Sequence, residues 1–351
     1  HDRYFLDRLC SSICEIERGV LTRYKGNYSA FVRQREENNA RREKEYEQQQ
    51  KQIAQLEDYV AKNLVRASTT KMAQSRRKQL EKMERIERPA HEAKSAKIRF
   101  TYAVEPPIDV LKVKGVDISV GEGNARKTLV DEVSFDVRRG EKIGIIGDNG
   151  IGKSTLLRII QEKLPHKGIV RWNSNVKISY FEQESTNLNR ELTVMEELHS
   201  RYPSLSELEV RSLLAQVRLV AENVFKETGV ISGGERAKLC FAIMMHEHGN
   251  VLILYVPTIH LDLSTKEAIE EALEEYTGTI IFVSHDRYLL SKIADRLIEL
   301  TDGGYRCHNF GFEKYLDVLR EEQSEQKRAA DEEKRQRAAE AAKEKSEKNY
   351  R

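Results

Sequence analysis

Apolar residues are spread along the chain in three different patterns. From about Arg33 to Ala61 they are sparse among strong helix formers, with no Gly and no Pro, which predicts a solvent-exposed helical rod. At about 1.5 Å per residue such a rod is about 40 Å long. A second run, from about Met72 to Ala96, places Leu80, Met83 and Ile86 at helical spacing and is broken only by Pro89. The two rods predict an antiparallel helical hairpin in which Ile53, Leu56 and Val60 face Leu80, Met83 and Ile86 along a thin apolar seam.

After Pro106 and Pro107 the pattern changes. Short β-branched runs (DVLKVKGVDIS, TLVDEVSFDV, KIGIIG, GIVRW, KISYF, VLIL, TIIFVS, RLIEL) alternate with amphipathic segments as far as Leu319, predicting an α/β core. From Glu321 to Lys348 the chain is nearly all Glu, Lys, Arg, Gln and Ala, the composition of an exposed helix or a disordered linker.

Composition agrees with this division. The 351 residues have room for about two domains. Charged residues make up 33% against about 25% in a typical soluble domain, so part of the chain carries more charge than a packed core allows. The net charge of +2 excludes a uniformly basic nucleic-acid binder, and any such surface must be local. One candidate stands out: Lys62 to Lys78 contains Lys62, Arg66, Lys71, Arg76, Arg77 and Lys78 and no acidic residue. With Ser68, Thr69, Thr70, Gln74 and Ser75 between the bases, it suits contact with phosphate and sugar. The alternative is a solvated turn whose charges only keep it soluble.

No run of about eighteen apolar residues occurs and the start lacks signal-peptide zones, so a cytoplasmic location is expected. Cys10, Cys14, Cys240 and Cys307 lack zinc or disulfide-scaffold spacing and read as free thiols. His91, His246, His248 and His260 show no metal-ligand spacing. Tyr24, Tyr28 and Trp172 read as packing aromatics. The chain opens on His1 and closes at Arg351 inside a charged run, which reads as a fragment.

Gly147-Asp148-Asn149-Gly150-Ile151-Gly152-Lys153-Ser154 follows an apolar strand and opens a helix, the spelling and context of a phosphate-binding loop. Its glycines let backbone N–H groups close around phosphate oxygens at a helix N-terminus. Lys153 would reach the β and γ phosphates and Ser154 a Mg²⁺ ion. Further on, Ser232-Gly233-Gly234-Glu235 opens another helix. It reads either as a second anion site or as an ordinary N-capped loop.

Taken together, these segments resemble the ATP-binding cassette superfamily. Gly147 to Thr155 matches Walker A, Gln183 the Q-loop, Ser232 to Glu235 the signature motif, Asp262 the D-loop and His285 the switch histidine. The chain also begins HDRYFLD, the words that recur at His285 to Leu290, and RYKGNYSAFVRQRE parallels RCHNFGFEKYLDVLREE, so there is an internal repeat. That arrangement resembles the ABC-F proteins, soluble twin-cassette ATPases that act on ribosomes.

The resemblance implies an ABC-type P-loop NTPase domain preceded by a long antiparallel helical hairpin. The end of a first cassette would occupy 1–32, a linker hairpin 33–105 with its tip at 62–78, the second cassette 106–320 and a charged tail 321–351. It implies ATP and Mg²⁺ as cofactors. Gly147, Asn149, Gly150, Gly152, Lys153, Ser154 and Thr155 would hold the nucleotide of this cassette. Ser232, Gly233, Gly234 and Glu235 would face the nucleotide of a partner cassette, and Asp262 of the D-loop would also take part in ATP binding. Ser154 and Gln183 would serve the metal, and His285, Gln183 and His1 would act in hydrolysis. The implied partners are ribosomal RNA and tRNA, contacted by the hairpin tip, and a first cassette paired within the same protein, with no membrane subunit. The role would be that of a translation factor or of ribosomal protection in antibiotic resistance. The alternatives are a transporter's nucleotide-binding subunit and a DNA-associated coiled-coil ATPase.

One segment departs from the family. Where the pattern is an apolar strand followed by Asp-Glu-Pro-Thr-Asn-His-Leu-Asp, this chain reads Leu254-Tyr255-Val256-Pro257-Thr258-Ile259-His260-Leu261-Asp262. Tyr255 replaces the Mg²⁺-orienting Asp and Val256 the catalytic Glu. A phenol is a poor Mg²⁺ ligand and Val accepts no proton, so the cassette's own site is expected to bind ATP and hydrolyse it very poorly. Val120 stands near the place of the aromatic that stacks on adenine. Two explanations stay open: a silent site paired with a live one, or decay or reading error, since each change needs only a single base.

Overall fold

A computed structural model describes residues 3–17, 19–63, 70–86, 98–121, 127–182 and 188–325. The chain divides into two compact units, His1–Ser95 and Ala96–Arg351.

The first unit opens with α1 (Arg3–Leu9) and the antiparallel pair β1 (Ser12–Glu17) and β2 (Val20–Lys25). It continues into α2 (Tyr28–Asn63), 36 residues long, and α3 (Thr70–Lys82). Asp7 accepts hydrogen bonds from the Ser29 backbone N–H and hydroxyl at 2.8 and 2.9 Å, pinning the start of α2. Tyr24, Tyr28 and Phe31 bury their rings against one another, the packing role read from the sequence.

The helices α2 and α3 form the hairpin. Gln49 bonds the Glu84 carbonyl and the Ile86 N–H, each at 2.8 Å, and Arg76 lies over the Tyr59 ring, so residues pair in antiparallel order. Ile53 and Leu56 are buried as expected, but the buried residue on α3 is Ala73, while Leu80 and Met83 are half-buried and Ile86 is exposed. The second helix stops at Lys82 rather than continuing to Pro89, and it starts at Thr70, so Lys71, Arg76, Arg77 and Lys78 stand on helix α3. Small Ala73 at the contact lets two highly charged helices approach while their long side chains stay in water.

The second unit holds the α/β core. Its strands are β3 (Asp109–Val120), β4 (Lys127–Arg138), β5 (Lys142–Gly147), β6 (Ile169–Trp172), β7 (Ile178–Phe181), β8 (Val251–Tyr255), β9 (Thr279–Val283), β10 (Arg296–Thr301) and β11 (Gly304–His308). Its helices are α4 (Lys153–Ile160), α5 (Val194–Arg201), α6 (Glu207–Gln216), α7 (Gly233–Glu247), α8 (Leu263–Glu275) and α9 (Arg287–Ile293), and residues 312–325 are also helical. Strands order as β11-β10-β5-β9-β8-β7 in one sheet, parallel except for β11, and as β4-β3-β6 in a separate antiparallel sheet.

Central strands β5, β8 and β9 are buried on both faces and read as continuous apolar runs for that reason. One apolar cluster fills the space between the antiparallel sheet, α4 and the parallel sheet, with Ile118, Ile143, Leu156 and Ile160 fully enclosed. Another packs α5 to α9 against the opposite face. Ile98, Phe100 and Tyr102 precede the composition change at 106, yet they pack into this second cluster, with Phe100 6.3 Å from both Phe241 and Tyr276. Trp172 is half-buried and donates its indole N–H to the Ile160 carbonyl at 2.6 Å, holding the end of α4.

The sequence repeat is also structural. The order α1, β1–β2, α2 recurs as α9, β10–β11 and the helix over 312–325, each a short helix, an antiparallel pair and a longer helix.

Candidate nucleotide site

Parallel strands end together, so the loops after β5, β8 and β9 gather at one end of the sheet, where α/β proteins bind their ligands. The segment 147–152 turns from β5 into α4. Gly147, Gly150 and Gly152 all have positive φ, and a Cβ at Gly147 would lie 2.5 Å from the Leu300 carbonyl oxygen. A Cβ at Gly152 would lie 2.7 Å from Ile118 of β3. Gly147 and Gly152 are thus demanded by close approach to their surroundings as well as by torsion, and Gly150 by torsion alone.

Lys153 opens α4 and is buried. Its ammonium donates to the carbonyls of Gly147 and Asp148 at 2.8 and 2.7 Å, wrapping the loop around the amine. Burial pushes its pKa below the ordinary lysine value, with Asp148 opposing. Ser154 and Thr155 follow, half-buried, and Asn149 is exposed at the loop's crest. The switch position His285 comes just after β9. Partial burial and the nearby Lys153 charge hold its pKa below the usual imidazole value, which places the two residues in one electrostatic neighbourhood.

Ser232 caps α7 and its hydroxyl accepts from the Glu235 N–H at 3.2 Å. The Glu235 carboxylate in turn accepts from the Ser232 N–H and hydroxyl, at 2.9 and 2.8 Å. This is a capping box. The backbone hydrogen bond from Ser232 is the main cause of the lowered Glu235 pKa. Thr193 with Glu196 and Ser206 with Glu209 build the same device on α5 and α6, so capping alone does not distinguish the 232–235 segment. Its surroundings do. A Cβ at Gly234 would come within 2.7 Å of the His260 carbonyl oxygen, so α7 starts directly against the loop after β8.

That loop also carries Asp262, which caps α8 and accepts from the Lys238 ammonium at 2.9 Å and from the Ser264 and Thr265 hydroxyls at 2.7 and 2.8 Å. Burial disfavours the charged carboxylate, but these bonds outweigh it and hold the pKa well below the usual carboxylate range. Arg218 donates to Ser264 at 3.0 Å and extends the network. Spacing along the chain showed neither Lys238 nor Arg218, because their roles arise only when α7 and α8 come together.

Tyr255 ends β8, half-buried and packed against the apolar cluster that contains Leu156 and Ile160 of α4. Val256 is buried at 5% exposure, with φ 47°, a conformation that a β-branched residue adopts only under constraint. Its N–H is bonded to the Val283 carbonyl at 2.9 Å. The site therefore fits a nucleotide's phosphates better than it fits their metal. The amine, the Ser154 hydroxyl and the loop N–H groups are in place, but β8 ends in a phenol and an aliphatic side chain. His1, Gln183 and Arg66 lie outside the described residues. Val120 is part-exposed at the end of β3.

A phosphate loop on a central parallel strand, a flanking antiparallel sheet and a helical region headed by Ser-Gly-Gly-Glu together define an ATP-binding cassette. Family models described as ABC transporter match residues 14–100 and 130–258. ABC transporter F family member 5 of Arabidopsis thaliana is 38% identical over 335 residues, covering 92% of this chain and 47% of the relative. F family member 2 of the same plant is 36% identical over 325 residues, 90% of this chain and 47% of the relative. YdiF of Bacillus subtilis (strain 168) is 42% identical over 323 residues, 92% of this chain and 50% of the relative. The chain belongs to the F family of ATP-binding cassette proteins. It spans about half the length of these curated relatives. The dimeric structure of MJ0796, a bacterial ABC transporter cassette, aligns with TM-score 0.49 at 24% identity, covering 55% of this chain and 95% of that chain. Among the described residues, no helix is long and apolar enough to cross a membrane.

Proposed function

We propose that this chain is the hairpin-and-cassette portion of an ATPase that acts on the ribosome. ATP binding draws its cassette against a second one, and this closure positions the hairpin against ribosomal RNA or tRNA. Lys153, the 147–152 amides and Ser154 hold the phosphates of this cassette's nucleotide. Ser232, Gly233 and Gly234, seated against the loop that carries Asp262, cap the nucleotide of the partner cassette, where hydrolysis takes place. His285 orients the γ-phosphate of its own site.

The observation that carries the ribosomal reading is the hairpin itself: a 36-residue polar helix returning through α3, with Lys62, Lys71, Arg76, Arg77 and Lys78 near the turn. Lys62 is paired with Asp58 and Arg77 with Glu81, exposed contacts worth little and easily exchanged for phosphate. Lys71 and Lys78 are exposed. A transporter subunit gives no reason for such an element.

Cosedimentation of the full-length protein with ribosomes over a salt series tests the reading. Binding should fall steeply with salt, and Lys71→Ala, Arg76→Ala, Arg77→Ala and Lys78→Ala together should weaken it and reduce the logarithmic slope by about one per lost phosphate contact. Sedimentation with membranes, a preference for duplex DNA, or a slope unmoved by the four changes would refute it.

A further inference from the structure

We propose that the nucleotide site of this cassette takes ATP without help from a divalent cation, with the protein supplying the positive charge that a metal ordinarily supplies. The proposal rests on the phosphate-binding reading above and deepens it. It starts from register. Tyr255 of β8 is matched to Val283 of β9, and Val283 to Ile145 of β5, two residues before the phosphate loop. The end of β8 therefore stands level with the end of β5, two strands away, where a carboxylate would serve an ion on the phosphates.

Neither Tyr255 nor Val256 at the end of β8 is a carboxylate. Mg²⁺ is a hard cation that selects oxygen ligands, usually with one or two carboxylates beside the phosphates. Tyr255 is half-buried and packed against the apolar cluster that contains Leu156 of α4, and Val256 is buried. Among the described residues, the carboxylates on the loops after β7, β8 and β9 are committed elsewhere. Glu182, after β7, pairs with Arg158 at 3.0 Å. Asp262, after β8, is held by Lys238, Ser264 and Thr265. Asp286, after β9, caps α9 by accepting from the Tyr288 and Leu289 N–H groups. Beside the exposed Asp148 carboxylate of the loop, the site holds cationic and donor chemistry: the buried Lys153 ammonium, the Ser154 hydroxyl and backbone N–H groups at the start of α4, which favour anions by themselves.

Titration of the 351-residue chain with ATP, once in excess Mg²⁺ and once in excess EDTA, tests this. The two affinities should differ by less than about three-fold. In Tyr255→Asp, removing Mg²⁺ should weaken binding by about ten-fold or more, the range that a supporting group contributes at a metal site. Tyr255→Phe should behave like the parent, since the hydroxyl is not a ligand, and it keeps the ring packing should the aspartate variant fold poorly. Binding by the parent only when Mg²⁺ is present would overturn the inference and leave the phosphate-binding reading standing. Absence of binding under both conditions would overturn both.

Discussion

Tyr255 and Val283 are partners in the parallel β8–β9 pair, and the next residue, Val256, bonds back to the Val283 carbonyl at 2.9 Å. The backbone that would aim two carboxylates at a nucleotide is thus built, while the side chains on it are an aromatic ring and an aliphatic group. Geometry and chemistry have separated here, which makes the restoring substitutions informative.

Tyr255→Asp together with Val256→Glu in the full-length protein should raise ATP turnover. A positioned general base contributes typically about 10² to 10⁴ in rate, and Glu also removes a β-branched side chain from a positive-φ position. Steady-state phosphate release measures it. A gain in turnover with biological function intact would argue against a deliberately silent site, and no gain would show that more than these two groups is missing.

After burial, the Lys153 charge helps to lower the His285 pKa, so the histidine should report on the lysine. In Lys153→Ala the imidazole pKa should rise towards its ordinary value, because a neighbouring cation has been removed while partial burial persists. An NMR titration of the ring nitrogens reads this directly. An unmoved His285 would separate the two residues.

The glycines of the phosphate loop should not be equally sensitive. Gly150 has φ 82° with open space around its missing Cβ, so Gly150→Ala should cost about 1–2 kcal/mol from torsion alone. At Gly147 the new Cβ would collide with the Leu300 carbonyl 2.5 Å away. Gly147→Ala should cost more than about 3 kcal/mol, torsional strain plus overpacking against immobile backbone. Denaturant midpoints of the two variants give the comparison.

Asp262 links pH to stability. Its carboxyl pKa is depressed in the folded state, so its contribution is present above the unfolded aspartate value and is lost as pH falls through the lower folded value. Removing the Lys238 ammonium with Lys238→Met should raise that folded pKa and move the acid end of the stability profile to higher pH. Acid unfolding followed by circular dichroism checks the direction. An unchanged profile would mean that the hydroxyls and backbone N–H groups hold the carboxylate by themselves.

Local order accounts for what was legible in the sequence. A phosphate loop is a contiguous strand–turn–helix, so spelling and flanking pattern suffice for Gly147 to Ser154. The repeat that joins α1, β1–β2 and α2 to α9, β10–β11 and the 312–325 helix was equally visible, because copied sequence folds into copied structure. The polarity of α2 announced a helix that no domain interior could hold.

Contacts between distant segments were decided only by the tertiary structure. The hairpin seam closed most tightly on Ala73, with Leu80 half-buried and Ile86 exposed, since helix separation depends on the side chains at the contact and a small one lets the helices approach. Ile98, Phe100 and Tyr102 joined the cassette core although their composition belongs with the linker. Asp262 gained Lys238 from another helix, and Tyr255 came level with the phosphate loop through two strand registers. Periodicity says which face of an element is apolar; which partner covers that face depends on packing and hydrogen bonds that form only when the whole chain has folded.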